Sequence, residues 1–344
     1  MKKVLLGILS MVLAIGGIIF GCANDSAAEK TFNLRLAHHL PPMHQQHKRV
    51  FIPWAQELEK RTGGRVKVKV FPSQQLGSAF EMYDLLISGT ADISMVQPPL
   101  SKGRFPLDEI FHLPFFIPGD TGHPLGAKIR TALYEKYLLP IHFKEVKCLW
   151  TGRFGLNVIF TTKKPVRRME DMKGMVIGVP GGRNLTRLIQ AVGASPESSH
   201  VVDMYTNLER GVIDGQSIPL EAMVAFKLNE VAKYVTRVNA GGATFLIAMN
   251  PKTWNSLPPD IQKTIDGMRG WTEMVQAKAW AGATRYSEIV AKKSGIELID
   301  FSPEEKARWV EIAKPLDALW VKEMDGRGFP ATEMYKFAEQ MLQK

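Results

Sequence analysis

Residues 59–96 read EKRTGGRVKVKVFPSQQLGSAFEMYDLLISGTADISMV, and this stretch decides the fold class. The Gly-Gly pair predicts a turn, and Val66, Val68 and Val70 alternate with lysines as on a strand with one buried face. A helix is expected over about 79–88, and ADISMV after it is typical of a second, buried strand. A strand, a helix and another strand in this order favour parallel pairing through a right-handed crossover.

The same pattern extends to both sides of this stretch. FNLRLA at 32–37 predicts a buried strand, and a proline turn then leads into a helix from about His44 to Thr62. Farther along, KGMVIGVPGG at 173–182 predicts a strand and a tight turn, and RNLTRLIQAVG predicts a helix ended by Gly193. Two such α/β units predict two lobes.

Extended stretches near 153–162 and 232–249 flank the second unit and are expected to connect the lobes across a cleft. From Pro259 to about Val290 no proline interrupts an apolar helical face. At 1.5 Å per residue this helix would run about 45 Å, long enough to brace both lobes.

We therefore predict a two-lobed α/β fold like that of periplasmic binding proteins. The predicted first lobe comprises residues 31–152 and 243–282. The predicted second lobe comprises residues 153–242 and 283–344, including the C-terminal helices.

The N-terminus has the pattern of an export signal. Lys2 and Lys3 precede the uncharged run VLLGILSMVLAIGGIIF, and GCANDSAAEK follows. The IFGC ending resembles a bacterial lipoprotein signal, which predicts a signal over residues 1–21 and acylation of Cys22. Soluble export after cleavage near Ala27 or Ala28, or an uncleaved anchor, are the alternatives. With Cys22 acylated, Cys148 would be left without a disulfide partner, as a small core residue.

Composition excludes some classes of function. The chain of 344 residues is 45% hydrophobic and 23% charged, which is typical of a globular protein, and its net charge is +10. Without residues 1–21 the charge is 42 − 34, or +8. Such a charge favours anionic solutes on encounter. Because the basic residues are scattered and not interleaved with aromatics, nucleic-acid binding is not expected.

Several ordered blocks resemble a known family, the extracytoplasmic solute-binding proteins of TRAP transporters (the DctP family). Besides 59–96, the blocks are KKPVRRMEDMKGMVIGVPGG at 163–182, YTNLERGVIDGQSIPLE at 205–221 and LIAMNPKTWNSLPPDIQKTI at 246–265. The resemblance covers nearly all of the chain after the signal. It implies capture of a small organic acid between hinged lobes and delivery to TRAP membrane permease subunits, without catalysis and without a cofactor.

This sequence departs from the family at the site that binds the solute's carboxylate. The family usually carries an arginine in the strand K-I-R-V-P, and Gly178 takes that place here. Arg183, at the start of the next helix, is one candidate replacement, and a solvated side chain is its alternative. Arg153 is another, with a hinge ion pair as its alternative. Asn157 fills a second family arginine slot and shares a strand face with Arg153.

Loss of the arginine also opens space, so we predict an aromatic or bulky acid as the solute. Aromatic residues that border the predicted cleft are candidate contacts, with core packing as the alternative: Phe115, Trp150, Phe154 and Phe245. Polar candidates at strand ends or in the closing block are Gln97, Tyr205 and Gln216, with turn hydrogen bonds as their alternative.

Four histidines, His38, His39, His44 and His47, fall within ten positions. No acidic or thiol partner is local, so a metal site is not predicted. His39 is the candidate ligand contact because it ends a strand, where the cleft of such folds opens. Plain packing is its alternative.

Two other functions stay open at this stage, an exported α/β enzyme and a ligand sensor for a membrane receptor. The sequence lacks G-x-x-x-x-G-K-[ST], H-E-x-x-H, G-x-S-x-G and C-x-x-C, and GVPGG lacks the G-x-G-x-x-G spacing of a dinucleotide loop. These absences favour the binding protein.

Overall fold

Two separate β-sheets form the centres of two lobes in a computed structural model that describes residues 30–101, 103–120 and 124–343. The predicted signal and Cys22 lie outside the described residues. The first sheet has the strand order β2-β1-β3-β10-β4, and the second has the order β11-β9-β5-β8-β6-β7. The strands are β1 (Phe32–Ala37), β2 (Val66–Phe71), β3 (Ile93–Val96), β4 (Lys147–Arg153), β5 (Asn157–Thr161), β6 (Val176–Val179), β7 (Ser195–Ser198), β8 (Gly215–Pro219), β9 (Tyr234–Ala240), β10 (Thr244–Met249) and β11 (Glu297–Ile299).

Twelve α-helices surround these sheets within the described ranges. They are α1 (Ile52–Arg61), α2 (Met82–Ser88), α3 (Pro124–Leu133), α4 (Leu139–His142), α5 (Arg183–Ala191), α6 (Met204–Glu209), α7 (Ala222–Ala225), α8 (Pro251–Ser256), α9 (Pro259–Gly267), α10 (Arg269–Lys293), α11 (Pro303–Gly326) and α12 (Ala331–Leu342). None of the helices in this part of the chain combines the length and the apolar character that a membrane-spanning segment requires.

The predicted parallel pairing is present in both sheets. Strand β1 pairs in parallel with β2 and β3, and β6 pairs in parallel with β7 and β8. The strands that cross between the lobes instead run antiparallel: β10 pairs with β3 and β4, and β5 pairs with β8 and β9. The two-lobed α/β fold is therefore confirmed, and each of its sheets is mixed.

The helix expected from His44 to Thr62 is regular only from Ile52 onward. A π-helical turn covers His47–Phe51, and Pro53 follows it inside α1. A second π-helical turn, at Tyr134–Leu138, stands in the same way just before Pro140 in α4. Proline has no backbone N–H to donate to the carbonyl one turn earlier. The preceding turn therefore widens into a π-helical turn, in which its carbonyls accept from other backbone N–H groups.

The long bracing helix is present as α9 and α10, which together run from Pro259 to Lys293 and meet at Met268. Its first half packs on the first sheet, where Gln276 accepts a hydrogen bond from Trp150 Nε1 at 3.1 Å. Its second half reaches the second lobe, where Ala291 lies in the core beneath β5 and β8. The helix therefore contacts both lobes.

The C-terminal helices differ from the predicted assignment of residues 283–344 to the second lobe. Helix α11 begins in the second lobe, where Trp309 is fully buried. It then crosses over, so that Trp320 and the apolar face of α12 pack with Tyr134 and Phe111 in the core of the first lobe. The large apolar side chains near the C-terminus complete that core, which explains the crossing.

Candidate functional site

A cavity lies between the two sheets and is lined by both lobes. About 590 Å³ around it is free of protein atoms, counting space open to solvent, and about 50 Å³ of this is room in which a water-sized group could be centred. Its walls are largely apolar and carry six polar side chains. The lining residues are His39, Leu40, His44, Gln97, Pro99, His112, Phe154, Asn157, Pro180, Gly181, Leu185, Val201, Ile218, Pro219, Glu221, Ala222, Phe226 and Ala243.

Four of the predicted site residues meet in this cavity: His39, Gln97, Asn157 and Phe154. His39 follows the end of β1, Gln97 follows the end of β3, and Asn157 is the first residue of β5. The carboxyl ends of neighbouring parallel strands meet at one sheet edge, so the first two are brought together by β1–β3 pairing.

Two of the three histidines in the wall, His39 and His44, are held neutral. Burial lowers the pKa of His39 to about 4, with an opposing effect from hydrogen bonding to Gln97. Burial also lowers the pKa of His44 to about 3, and the neighbouring histidines add to the effect. At neutral pH both rings are therefore uncharged hydrogen-bonding groups.

An aromatic wall forms around His44. Its ring lies 6.5 Å from Phe154, 6.4 Å from Phe226 and 5.6 Å from Trp280, centroid to centroid, in edge-on arrangements. Phe154 and Phe226 line the cavity themselves, the first from the connection between β4 and β5 and the second from just after α7. Such a wall suits a flat apolar group.

His112 and Glu221 are cavity residues that the sequence did not predict. His112 ends a 3₁₀ segment (Pro106–His112), and its Nδ1 lies 3.7 Å from Glu109 Oε2. Glu221 is 4% exposed and accepts a hydrogen bond from Gly155 N–H at 2.5 Å. Burial raises the pKa of Glu221 to about 7.

Arg153, a candidate anion anchor, does not line this cavity. Its buried guanidinium donates to four backbone carbonyls: Phe111 (2.6 Å), Pro118 (2.9 Å), Gly242 (3.0 Å) and Ile117 (3.2 Å). Burial lowers its pKa to about 10. Arg153 therefore stabilises the crossing between the lobes. It does so by hydrogen bonds to backbone carbonyls and not by a hinge ion pair.

The two chain crossings lie side by side next to Arg153. Phe154 N–H donates to Ala243 O at 2.9 Å, and Asn157 N–H donates to Gly241 O at 3.1 Å. The first bond starts in the β4–β5 connection and the second at the first residue of β5, and both end in the β9–β10 connection. A paired crossing of this kind is a short, well-defined axis about which lobes can turn.

Gly178 lies inside the second sheet, away from the cavity. A Cβ at this position would come within 2.2 Å of Gln216 Oε1 and 2.8 Å of Ile213 Cδ1. The Gln216 side chain is fully buried there, and its Nε2 donates to Ser217 O at 3.2 Å. The space beside Gly178 is thus filled by Gln216 in this structure, and entry of the solute there stays a prediction.

Arg183 does not face the cavity either. Its side chain is 55% exposed and lies 3.5 Å from Glu323, beside Arg187. The helix N-terminus that could have bound an anion is already occupied, because Glu109 accepts from the N–H groups of Arg183 (2.9 Å) and Asn184 (3.2 Å). Arg183 therefore has the position expected of a solvated side chain, which was the alternative to an anion anchor.

The remaining candidates lie outside the cavity. Trp150 and Phe245 are core residues of the first lobe, 1% and 0% exposed. Phe115 lines an open groove on another face, and the Tyr205 hydroxyl donates to Glu209 at 3.3 Å on the surface of α6. The positions of these residues in the sequence allowed their side chains to point into the cleft. Contacts with distant segments turned the side chains elsewhere.

Two histidines of the N-terminal cluster form a pair with each other. His38 Nε2 lies 2.9 Å from His47 Nδ1, and burial lowers the pKa of His38 to about 2. Within residues 30–343, outside the short undescribed gaps, no group of three or more His, Cys, Asp or Glu is arranged to hold a metal ion.

Two lobes, a paired crossing and an enclosed cavity between them define the class of two-lobed solute-binding proteins. The chain belongs to the bacterial extracellular solute-binding protein family 7, whose sequence profile matches residues 36–323. The predicted membership of the TRAP extracytoplasmic solute-binding proteins is confirmed.

Similar proteins span most of this chain. The C4-dicarboxylate-binding periplasmic protein DctP of Rhodobacter capsulatus is 26% identical, with 75% of this chain and 77% of that protein covered. A solved TRAP solute-binding protein of Bordetella bronchiseptica, with bound (R)- and (S)-mandelate, is 28% identical. The likeness has a TM-score of 0.80 and covers 90% of this chain and 99% of that one. One of Desulfovibrio salexigens, with bound orotic acid, is 25% identical, with a TM-score of 0.79 and coverages of 90% and 98%.

Proposed function

We propose that this protein captures an aromatic or otherwise bulky organic acid in the cavity between its lobes and delivers it to a TRAP-type membrane carrier. The observation that carries the proposal is the cavity itself, which is enclosed by both lobes and lined mainly by apolar side chains. The solved Bordetella protein with mandelate and the Desulfovibrio protein with orotic acid support the ligand class.

Capture proceeds by closure of the lobes around the solute. A solute that touches His39 and Gln97 in the first lobe and Ile218 in the second binds the closed form better than the open form. Only such differential contact shifts the population toward closure. Micromolar affinity needs about 8 kcal/mol, which a stacked ring and a few hydrogen bonds can supply.

The distribution of polar groups gives the solute an orientation. Polar side chains reach the cavity from both lobes: His39, Gln97 and His112 come from the first, and Asn157 and Glu221 from the second. The polar end of the acid faces these groups. Its apolar body lies against the aromatic wall around His44.

A thermal-shift screen over mandelate, orotate, benzoate, succinate and malate tests the ligand class. A ligand that binds only the native state raises the melting temperature, and the aromatic acids are expected to give the larger shifts. Submicromolar binding of succinate or malate with no response to aromatic acids would reject the proposal.

Recovery of the bound solute tests the absence of catalysis. Mass spectrometry of each acid after long incubation is expected to return the acid unchanged. A new product that forms in proportion to protein and time would support the exported enzyme.

We also propose that Cys22 is acylated and tethers the protein outside the cytoplasmic membrane. The basic start, the apolar run and the IFGC ending support this. Labelling of cells with a radioactive fatty acid is expected to mark the wild-type protein and not Cys22→Ser. Equal labelling of the two, or none, would favour soluble export or an uncleaved anchor.

A further inference from the structure

The described wall of the cavity has no permanently charged cation that could pair with a bound acid. Among the described residues that line it there is no lysine and no arginine. The ionisable groups in its wall are three histidines and one glutamate, namely His39, His44, His112 and Glu221. A solute carboxylate in this space would therefore lack the guanidinium partner that usually offsets its loss of hydration.

Glu221 is placed so that a negative solute affects it strongly. Its side chain is 96% buried and stands at the base of α7, against the crossing between the lobes. One oxygen accepts the Gly155 N–H, and Glu221 forms no ion pair within the described part of the chain. No cation within ion-pair distance in this part of the chain thus neutralises a negative charge on the carboxyl group.

Besides the cavity, an open groove that Glu221 borders also contains charged side chains. The groove lies on the far side of the crossing and is lined in part by Arg237, Glu288 and Lys306. Arg237 is engaged by Asp300 and by Glu288, to which it lies at 3.3 Å. Across the cavity stand the three histidines, and Glu109 lies beyond His112.

Two carboxylates in one water-excluded space cannot both stay ionised without a large electrostatic cost. Paired acids in enzymes resolve this by sharing a single proton. Here the solute would bring one carboxylate and Glu221 the other, while His39 and His44 remain neutral. The group that takes up a proton most readily determines the charge of the complex.

We infer that the acid is bound together with one proton, which Glu221 takes from solvent as the lobes close and holds in the closed form. This inference rests on the proposed function. The step consumes one hydronium-derived proton and converts the Glu221 carboxylate to a carboxylic acid. The solute stays a carboxylate, and the proton returns to solvent when the lobes open.

Protonation of Glu221 costs little free energy near neutral pH. Burial of Glu221 in this structure already raises its pKa to about 7. A bound carboxylate raises that pKa further. Binding is therefore fully developed below the pKa of the empty site and weakens as the pH rises above it, by about tenfold per pH unit.

Titration calorimetry with (R)-mandelate and benzoate, from pH 5 to pH 9 and in two buffers of different ionisation enthalpy, tests the inference. The wild type is expected to bind with constant affinity below about pH 6 and with a tenfold loss per unit above pH 7. Proton uptake, read from the difference between buffers, is expected to approach one per solute at pH 8 and zero at pH 5.

Glu221→Gln keeps an oxygen for Gly155 N–H and carries no charge at any pH. We expect its affinity at pH 8 to match or exceed that of the wild type at pH 6, with no pH slope and no proton uptake. Asp317→Asn is the matched control, because burial also raises the pKa of Asp317, to about 6, yet this residue pairs with Tyr335 away from the cavity. It should keep the wild-type slope.

The outcomes separate the inference from the function beneath it. Acid binding by the wild type without pH dependence or proton uptake overturns the inference and leaves the proposed function standing. Retention of the wild-type slope in a folded Glu221→Gln assigns the proton to another group and also overturns it. Binding of benzamide or benzylamine with no binding of acids at any pH overturns the proposed function itself.

Discussion

Replacing Arg153 by methionine is expected to weaken the native state without removing the solute site. Methionine keeps much of the side-chain volume but cannot donate to the carbonyls of Phe111, Ile117, Pro118 and Gly242. These carbonyls are buried around the crossing, and each one left without a donor costs about 1–3 kcal/mol.

The expected net loss is smaller than the sum of four such terms. Removal of a buried cation relieves its desolvation, which the lowered pKa of Arg153 reports. Losses of this type amount to about 3–5 kcal/mol. With an unfolding entropy of about 2 cal/mol/K per residue, a chain of roughly 300 residues should lose about 4–8 °C in melting temperature.

Scanning fluorimetry with and without mandelate or benzoate measures both quantities. A solute at a hundredfold excess over its Kd adds about 2.7 kcal/mol to any variant whose site is intact. We therefore expect Arg153→Met to melt lower than the wild type and to keep the wild-type increment on addition of solute.

Arg183→Met is the control for a surface arginine. Its side chain is 55% exposed and forms one ion pair, so the expected change is below about 1 kcal/mol. A melting temperature of Arg153→Met within 1 °C of the wild type would refute the structural role. Loss of the solute increment in a variant that melts normally would restore Arg153 as the anion anchor.

Three further outcomes are expected. Gly178→Arg should lower the melting temperature, because overpacking against Gln216 costs about 1–3 kcal/mol. The variant should not bind acids more tightly in calorimetry, and tighter binding would contradict the packing argument. Phe226→Ala should weaken mandelate about 3- to 10-fold, since an aromatic contact is worth about 0.5–1.5 kcal/mol, and an unchanged Kd would remove the aromatic wall. In a Cys22→Ser background, the half-buried Cys148 should react with a thiol reagent more slowly in the native than in the unfolded protein, because its surroundings raise its pKa to about 12. Equal rates of labelling in the two states would contradict this.

The parts of the fold that follow from local periodicity could be predicted from sequence. Alternation in 66–70 and the buried ADISMV strand identified β2 and β3, and the uninterrupted face after Pro259 identified the bracing helix. His39 and Gln97 could be predicted for the same reason, since each follows the end of a strand. Asn157 was predicted from the family resemblance, because it fills a position where the family often has an arginine. A strand end is a local property that places a side chain at a sheet edge.

The rest depended on contacts between distant segments. The partners of Arg153 are 35 to 89 positions away, and Gly155 is 66 positions from Glu221. No local signal distinguishes an arginine that binds carbonyls from one that binds a solute. A glutamate after the SIPL run reads as an ordinary surface acid until the chain crossing covers it.

The family resemblance implies an arginine in β6 where this chain has Gly178, but Gln216 fills the space beside that glycine, away from the cavity. The room for a bulky solute therefore comes from small and apolar residues of the wall, such as Gly181 and Ile218. The electrostatics of the site follow from the wall itself, which has no lysine or arginine among its described residues. A site with a fixed cation binds acids equally well on both sides of neutrality, whereas a site whose charge balance depends on Glu221 must acquire a proton with each acid. Affinity here is therefore expected to follow the pH outside the cytoplasmic membrane, with stronger capture where that compartment is acidic.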